Sequence, residues 1–332
     1  MKKILICIPT YNRYKILDKQ LKNLTSVDSK YFDIVCFDNC STDNTEKVVL
    51  EYAKKFNHIS YVKNKINVGY NGNIVNIIKY ASTQEKYKYL FILSDDDLVF
   101  MSNFVKVCDQ IDINKNELIL LTWISTDTKG VVTTRPNDKN FENIYETVNK
   151  TALISSYMYP MVFIKKYNIN EFLKFSKNTF LHLKIIADCI NDDYPIKYYE
   201  LPIGYEVINF EWRFDLYKTF CVDRYEATKY LDKVFNTSNS KQTALDVSNG
   251  LILKFIIWHI DKNYRYDKYF WKILAWKFKN NFINKKTFLL LFLYFLQKLP
   301  FSNKIPFYKR QKQKNRDGLN AQQLMIQIFL KQ

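Results

Sequence analysis

Five short apolar runs punctuate the first 125 residues, at Ile4–Ile8, Ile34–Phe37, Ile59–Val62, Tyr89–Leu93 and Leu118–Trp123, each flanked by polar residues. Runs this short, apolar throughout rather than alternating, predict strands covered on both faces, as in a parallel sheet. Between them, apolar positions recur at helical spacing over Tyr14–Leu24, Asn44–Phe56, Asn73–Ser82 and Asn103–Ile111. Asp43 with Glu46 three residues on predicts a capping box for the second helix. Strand–helix alternation of this kind predicts a doubly wound α/β sheet, with ligands at the carboxyl ends of its strands.

From about residue 126 the pattern loosens. It predicts a hairpin around Gly130, a helix near Tyr145–Ser155, a strand over Tyr159–Ile164 and a helix over Asn178–Ile190. Beyond residue 216 the chain reads as helical and aromatic, with Tyr264, Tyr266, Tyr269, Phe270, Trp271 and Trp276 interleaved with lysines. We therefore expect one domain over 1–215, made of halves 1–125 and 126–215, followed by a helical region over 216–332.

Composition removes several chemistries. The six glycines never fall at the spacings of a dinucleotide fingerprint, a phosphate-binding P-loop or a nucleophile elbow. Three histidines cannot supply an H-E-x-x-H zinc site as they are spaced here. The six cysteines include no C-x-x-C pair, and Cys7 and Cys36 sit inside apolar runs, so reduced, buried thiols in a cytosol are expected. Met1-Lys2-Lys3 runs directly into the first apolar segment, which reads as a strand and not as an export signal.

Charge is uneven. The chain carries +17, but residues 251–332 hold 17 Lys/Arg against three acidic residues, a net +14, which leaves +3 for the first 250. A basic tail on a nearly neutral body suits an anionic partner, phospholipid or nucleic acid. The longest apolar run, Phe288–Leu296, has nine residues, against about 20 for a membrane-spanning helix. Flanked by Lys277, Lys279, Lys285, Lys286 and Lys298, it predicts a helix lying at an anionic membrane surface, on the cytoplasmic side. The plain alternative is a helix packed on the protein with a solvated basic face.

Polar residues gather at four strand ends: Pro9-Thr10-Tyr11-Asn12-Arg13, Asp38-Asn39-Cys40-Ser41-Thr42-Asp43, Asn67-Val68-Gly69 and Ser94-Asp95-Asp96-Asp97. Three consecutive aspartates after an apolar strand repel one another unless a cation compensates, and hard oxygen ligands suit Mg2+ or Mn2+. A solvated acidic turn is the ordinary alternative.

In their order and spacing these four segments resemble the GT-A-fold glycosyltransferases of family two, over roughly the first 100 residues. The resemblance implies a GT-A α/β domain and an inverting transfer of sugar from a nucleoside-diphosphate donor, a UDP-sugar, to a hydroxyl. The acceptor it implies is a surface glycan, free or lipid-linked. It also implies that Pro9, Thr10 and Asn12 form the first nucleotide-contacting loop, that Asp38 reads the base edge, and that Asn67 and Gly69 lie beneath the nucleotide and sugar. Arg13 meets the diphosphate or is a surface arginine; Asp43 lies near the nucleotide or caps its helix.

The family's usual aspartate motif is Asp-x-Asp. Matching the trailing acid pair puts Ser94 at its first position, with Asp96 as the metal ligand and Asp97 beside it; shifting by one makes Asp95 and Asp97 the pair. The first register is preferred, because abequosyltransferase-like enzymes are similar there.

For the base that takes the acceptor proton, the resemblance points to the helix holding His182 and Asp188. An unperturbed imidazole changes charge near neutrality, which suits a base, although a histidine among apolar neighbours also serves as a core residue. Glu211 and Trp212 are candidates for acceptor contact. Two other classes compete: a nucleic-acid-binding protein using the basic tail, and a nucleotidyl- or phosphotransferase using the same aspartates. The absence of RRM or KH signatures, and a body of only +3, weigh against nucleic acid as a partner.

Overall fold

The apolar runs form one sheet. The computed structural model describes residues 4–27, 30–126, 132–135, 148, 153–205, 217–260 and 267–296. Strands β1 (Ile4–Thr10), β2 (Phe32–Asp38), β3 (Ile59–Lys63) and β4 (Tyr89–Ile92) are parallel, in the order β3-β2-β1-β4. Every residue of β2 and β4 is buried, which is why neither run alternates with polar residues. Helices α1 (Tyr14–Leu24), α2 (Thr45–Lys55) and α3 (Gly69–Ser82) connect them, and α4 (Met101–Gln110) follows β4. Leu17, Leu21 and Leu24 of α1 share a core with Ile4, Ile6 and Phe32, and Phe104 of α4 lies 5.9 Å from Phe32 and 5.8 Å from Phe91, centroid to centroid.

The sheet continues through β5 (Leu98–Val99), β6 (Leu118–Thr126), β7 (Val132–Arg135), β8 (Tyr157–Pro160) and β9 (Ile196–Tyr205), in the order β4-β8-β6-β9-β5 with β7 on β6. β8 is antiparallel to both its neighbours, β9 is parallel to β6, and β5 is antiparallel to β9. Gly204 of β9 faces Trp123 of β6 so closely that an added Cβ would stand 2.3 Å from the indole and 2.4 Å from the Leu98 carbonyl oxygen. Both neighbours are fixed, one a buried ring and the other backbone, so Gly204→Ala should destabilise the protein by about 1–3 kcal/mol or more. An unchanged denaturation midpoint would refute this packing.

Several expectations need correcting. Helix α3 starts at Gly69, not Asn73, because Gly69 takes φ 74° and the Asn67 side chain accepts its N–H. The strand expected over Tyr159–Ile164 stops at Pro160, and Met161–Lys166 form α5. A short apolar run does not by itself distinguish a buried strand from a buried helical turn. The capping box expected at α2 does not form: the N-cap is Asn44 with no side-chain cap, Asp43 accepts the N–H of Thr45 two residues on at 3.0 Å, and Glu46 pairs with Lys63 at 2.7 Å instead of reaching back. The turn expected at Gly130 and most of the helix expected near Tyr145–Ser155 lie outside the described residues, although β7 pairs with β6 and Ile154–Ser156 form a 3-10 turn.

Helices α6 (Ile169–Lys174) and α7 (Leu181–Asn191) complete this part of the chain. Asn168 caps α6 by accepting from the N–H groups of Asn170 and Glu171.

The chain divides into two compact units, residues 1–125 with 133–208 and residues 126–132 with 209–332. In the second, a π-helical turn (Lys218–Asp223) runs into α8 (Arg224–Phe235), followed by α9 (Ser240–Ile260), α10 (Asp267–Lys279) and α11 (Lys285–Leu296). Leu251, Ile252, Phe270, Ile273, Trp276, Leu290 and Tyr294 form its core, with Phe270 stacked on Tyr294 at 3.6 Å. Lys277, expected on a basic flank, is fully buried and donates to Ser248 Oγ at 2.8 Å. Burial pushes its pKa down to about 8. Among the described residues, no helix is long and apolar enough to cross a membrane.

Candidate active site

The order of the parallel strands reverses at β1 and β4, which lie side by side with Cys7 opposite Ile92. The chain leaving β1 runs outward on one side of this point and the chain leaving β4 on the other, which opens a crevice between their carboxyl ends. Thr10 and Arg13 come from the first, Ser94 to Asp97 from the second.

These groups interlock. Thr10 Oγ1 donates to Asp95 Oδ2 at 2.9 Å, and Arg13 Nη1 donates to Asp95 Oδ1 at 2.6 Å and to Asp96 Oδ2 at 2.9 Å. Ser94 Oγ donates to the other Asp96 oxygen at 2.6 Å. Asp97 faces away from Arg13: Ser155 Oγ donates to its Oδ2 at 2.6 Å, and Gln20 Nε2 donates to its backbone carbonyl at 2.8 Å. Asp95 and Asp97 are buried, whereas the Asp96 side chain is 19% exposed. Burial pushes the Asp95 carboxyl up to about 6, with the Arg13 charge pulling it down and Asp96 adding to the rise. Arg13 is held above its ordinary value, because Asp95 and Asp96 together outweigh its burial.

The neighbouring loops are tied to the same rim. Asn12 adopts φ 52°, a left-handed conformation that asparagine tolerates. That turn lets its N–H donate to Ser41 Oγ and its Oδ1 accept the Thr42 N–H, each at 2.8 Å. Pro9, half-buried, closes β1 opposite Phe37. The buried Asp38 accepts the Ser41 N–H at 2.8 Å and the Tyr61 hydroxyl at 2.5 Å. Asn39 donates to Asn67 Oδ1 at 2.8 Å, the same oxygen that receives the Gly69 N–H. Asp43 also accepts the Tyr14 N–H at 3.3 Å, which links the starts of α1 and α2. Its hydrogen bonds outweigh burial and lower its pKa.

In the first turn of α3, Tyr70 is 45% exposed. Asn71 Nδ2 donates to the carbonyls of Ser176 and Asn178, the latter at 2.9 Å, and Asn178 Oδ1 accepts the Phe180 N–H at 2.8 Å. These bonds fasten the start of α7, and with it the buried His182, to the first turn of α3. Asp188, near the far end of α7, accepts from Lys184 at 2.7 Å and from the Tyr167 hydroxyl at 2.6 Å. Glu211 and Trp212 lie outside the described residues.

Three site residues escaped the sequence reading. Gln20 left a signal: it is a polar residue on the buried stripe Leu17-Gln20-Leu21-Leu24 of α1. Ser155 and Tyr61 left none, because only the fold brings them to Asp97 and Asp38.

Three consecutive carboxylates at this rim are the hard-oxygen set that Mg2+ and Mn2+ take, and one or two of them suffice when a diphosphate fills the remaining positions. Among the described residues, no three acidic, histidine or cysteine side chains converge on one point, so a cation here would rely on the ligand for part of its shell.

Hydroxyl, guanidinium and carboxylate groups thus interlock at the switch point of an α/β sheet, and residues 5–172 match the Glycosyl transferase family 2 model. The chain belongs to glycosyl transferase family 2. It is 34% identical over 98 residues to the GalNAc(5)-diNAcBac-PP-undecaprenol beta-1,3-glucosyltransferase of Campylobacter jejuni, covering 29% of this chain and 30% of that protein. It is 33% identical over 97 residues to an abequosyltransferase of Salmonella typhimurium, covering 28% of each. The matched stretch thus spans less than a third of either curated relative, and the likeness to abequosyltransferase is partial. The structure of Staphylococcus aureus TarS 1–349 with UDP-GlcNAc superposes with a TM-score of 0.54 at 14% identity, covering 97% of this chain and 92% of that one. The fold is therefore α/β and GT-A-like, with a mixed, mostly parallel sheet followed by a helical C-terminal region.

Proposed function

We propose that this chain is an inverting glycosyltransferase that moves a sugar from a UDP-sugar to a hydroxyl of a surface glycan, free or lipid-linked. The observation that carries the reading is the interlocked cluster of Thr10, Arg13, Ser94, Asp95 and Asp96 at the strand-order reversal. The ligand of the superposed TarS structure, UDP-GlcNAc, and the undecaprenol in the name of the Campylobacter relative agree with it.

In this reading Pro9, Thr10, Asn12, Asn67 and Gly69 line the nucleotide side, and Asp38 positions Ser41 and Tyr61 for the base. Asp96, with Asp95 or Asp97, would hold Mg2+ or Mn2+, which stabilises charge on the leaving diphosphate. The acceptor oxygen attacks the anomeric carbon opposite the diphosphate. His182 takes the acceptor proton as the carbon–oxygen bond to the diphosphate breaks; Asp188, held by Lys184 and Tyr167, is the second candidate base. Glu211 and Trp212 are assigned to acceptor contact.

The test is incubation with UDP- and GDP-sugars, Mn2+ and a polyprenol-linked glycan, reading both sugar incorporation and the nucleotide released. Sugar transfer with release of nucleoside diphosphate is expected. Release of nucleoside monophosphate with transfer of sugar phosphate would replace this reading with phosphotransfer.

The second unit is assigned to an anionic membrane surface, on the cytoplasmic side. While one face of α10 and α11 packs inward, Trp271 and Phe278 on α10 and Phe288, Leu289 and Phe292 on α11 are each 49–60% exposed. Lys272, Lys279, Lys285 and Lys286 are exposed on the same helices. Apolar side chains flanked by lysines combine insertion with attraction to acidic lipid, worth about 1 kcal/mol per basic residue. The double substitution Phe288→Ser with Phe292→Ser should release the protein from anionic vesicles in a co-sedimentation assay. High salt alone should weaken binding only partly. Equal sedimentation of both proteins would remove the membrane from the proposal.

A further inference from the structure

Arg13 occupies a position with a consequence for how metal and donor load. Each of the two carboxylates it bridges has one oxygen held by a hydroxyl: Asp95 Oδ2 by Thr10 and Asp96 Oδ1 by Ser94. The remaining two oxygens, Asp95 Oδ1 and Asp96 Oδ2, both converge on the single nitrogen Nη1 of Arg13, at 2.6 and 2.9 Å. A divalent cation bound by this pair through the oxygens that no hydroxyl holds takes those same two oxygens. On them Arg13 and the cation exclude each other.

We infer that Arg13 is an exchangeable counter-ion of the Asp95–Asp96 pair, which couples divalent metal binding to donor binding. The inference rests on the glycosyltransferase reading and deepens it. Two facts make exchange feasible. The Arg13 side chain is 29% exposed, and Arg13 is the N-cap of α1 (φ −136°, ψ 33°): its carbonyl accepts the Leu17 N–H at 3.0 Å while its side chain makes no capping bond, so the side chain can swing with the helix start left in place.

A displaced guanidinium needs another anion. The donor diphosphate provides one, with the paired oxygens that its planar fork prefers. Metal alone must expel Arg13 into water, whereas metal arriving with a diphosphate gives Arg13 a new partner. The carboxylate pair never stands uncompensated: Arg13 neutralises it before loading, and the metal neutralises it afterwards. By linkage, the factor by which diphosphate tightens metal binding equals the factor by which metal tightens diphosphate binding.

The experiment is titration of the full chain with Mn2+, followed by electron paramagnetic resonance of the free ion, with and without saturating UDP. It compares wild type, Arg13→Gln and Arg13→Lys, each checked for folding by circular dichroism. In wild type, UDP should tighten Mn2+ binding about tenfold or more. Arg13→Gln should bind Mn2+ alone several-fold more tightly than wild type, and the effect of UDP should shrink to about twofold or less. Arg13→Lys keeps the charge but lacks the fork, should fall between the two, and carries the test if the glutamine variant does not fold.

If Arg13→Gln binds Mn2+ alone no more tightly than wild type, the counter-ion role is overturned while the metal site stands. If wild type binds UDP but never Mn2+, the aspartates are not a metal site, and the proposal falls together with that part of the proposed function. Loss of UDP binding in Arg13→Gln with no Mn2+ binding in any variant would mean that Arg13 itself permanently takes the place of the metal, which also overturns exchange.

Discussion

Asp96→Ala should lower sugar transfer by at least about 10²–10³-fold, the scale seen when one preorganised electrostatic contact to a transition state is lost. Of the three aspartates it is the one whose side chain reaches solvent, at 19% exposure, while Asp95 and Asp97 are buried at 4% and 2%. Removing it deletes a partly exposed carboxylate with its bonds to Arg13 and Ser94, but leaves the Ser155–Asp97, Thr10–Asp95 and Arg13–Asp95 bonds in place. The thermal midpoint should therefore stay close to that of wild type. Asp97→Ala should behave differently: it strips the buried Ser155 hydroxyl of its acceptor, so stability falls along with activity. Nucleoside-diphosphate release and thermal melts on both variants separate the two roles. Full activity of Asp96→Ala, or of wild type in excess EDTA, would show that the displacement does not use a metal.

His182→Ala should reduce kcat by about 10²-fold or more, the lower end of what a positioned base contributes, with little change in donor KM. The supporting geometry is the fastening of the start of α7 through Asn178 and Asn71 to the first turn of α3. The acidic limb of the pH–rate profile should flatten in the variant, which a packing role would not produce. Asp188→Asn supplies the contrast. Because Lys184 and Tyr167 both donate to that carboxylate, its loss should lower stability more than turnover. Normal turnover in His182→Ala would move the base to Asp188 or Glu211.

Strands β1, β2 and β4 were legible because each is covered on both faces and so writes an unbroken apolar run, such as Ile4–Ile8 or Tyr89–Leu93, while the edge strand β3 buries only Ile59. The rim was legible for a related reason, since each strand end carries its functional residues within a few positions of the run. Elsewhere that logic fails. β5 has only two residues, too few to show a period, and Met161–Ile164 are apolar in a helical turn just as they would be in a strand. Ser155 is invisible from Asp97 along the chain because β8 and β4 bring them together only in the folded sheet. Lys277 misled for the opposite reason: a lysine beside an apolar run reads as solvent-facing, yet packing against α9 gives its ammonium a buried partner in Ser248.

The two-residue strand β5 has a further meaning for the aspartate turn. Leu98 and Val99 pair with Tyr205 and Gly204, the Phe100 N–H reaches the Ile203 carbonyl, and Gln20 and Asn23 hold the carbonyls of Asp97 and Val99. The chain after the aspartates is therefore moored to β9 and α1 within a few residues of the chemistry. Such a segment opens only with the sheet that anchors it, so the amides around Leu98 and Phe100 should exchange with deuterium among the slowly exchanging core and not with the surface loops. The carboxylates then meet their ligand already in place, with little ordering left to be done, and differences in acceptor preference among related chains would arise elsewhere, in loops that this anchoring does not reach.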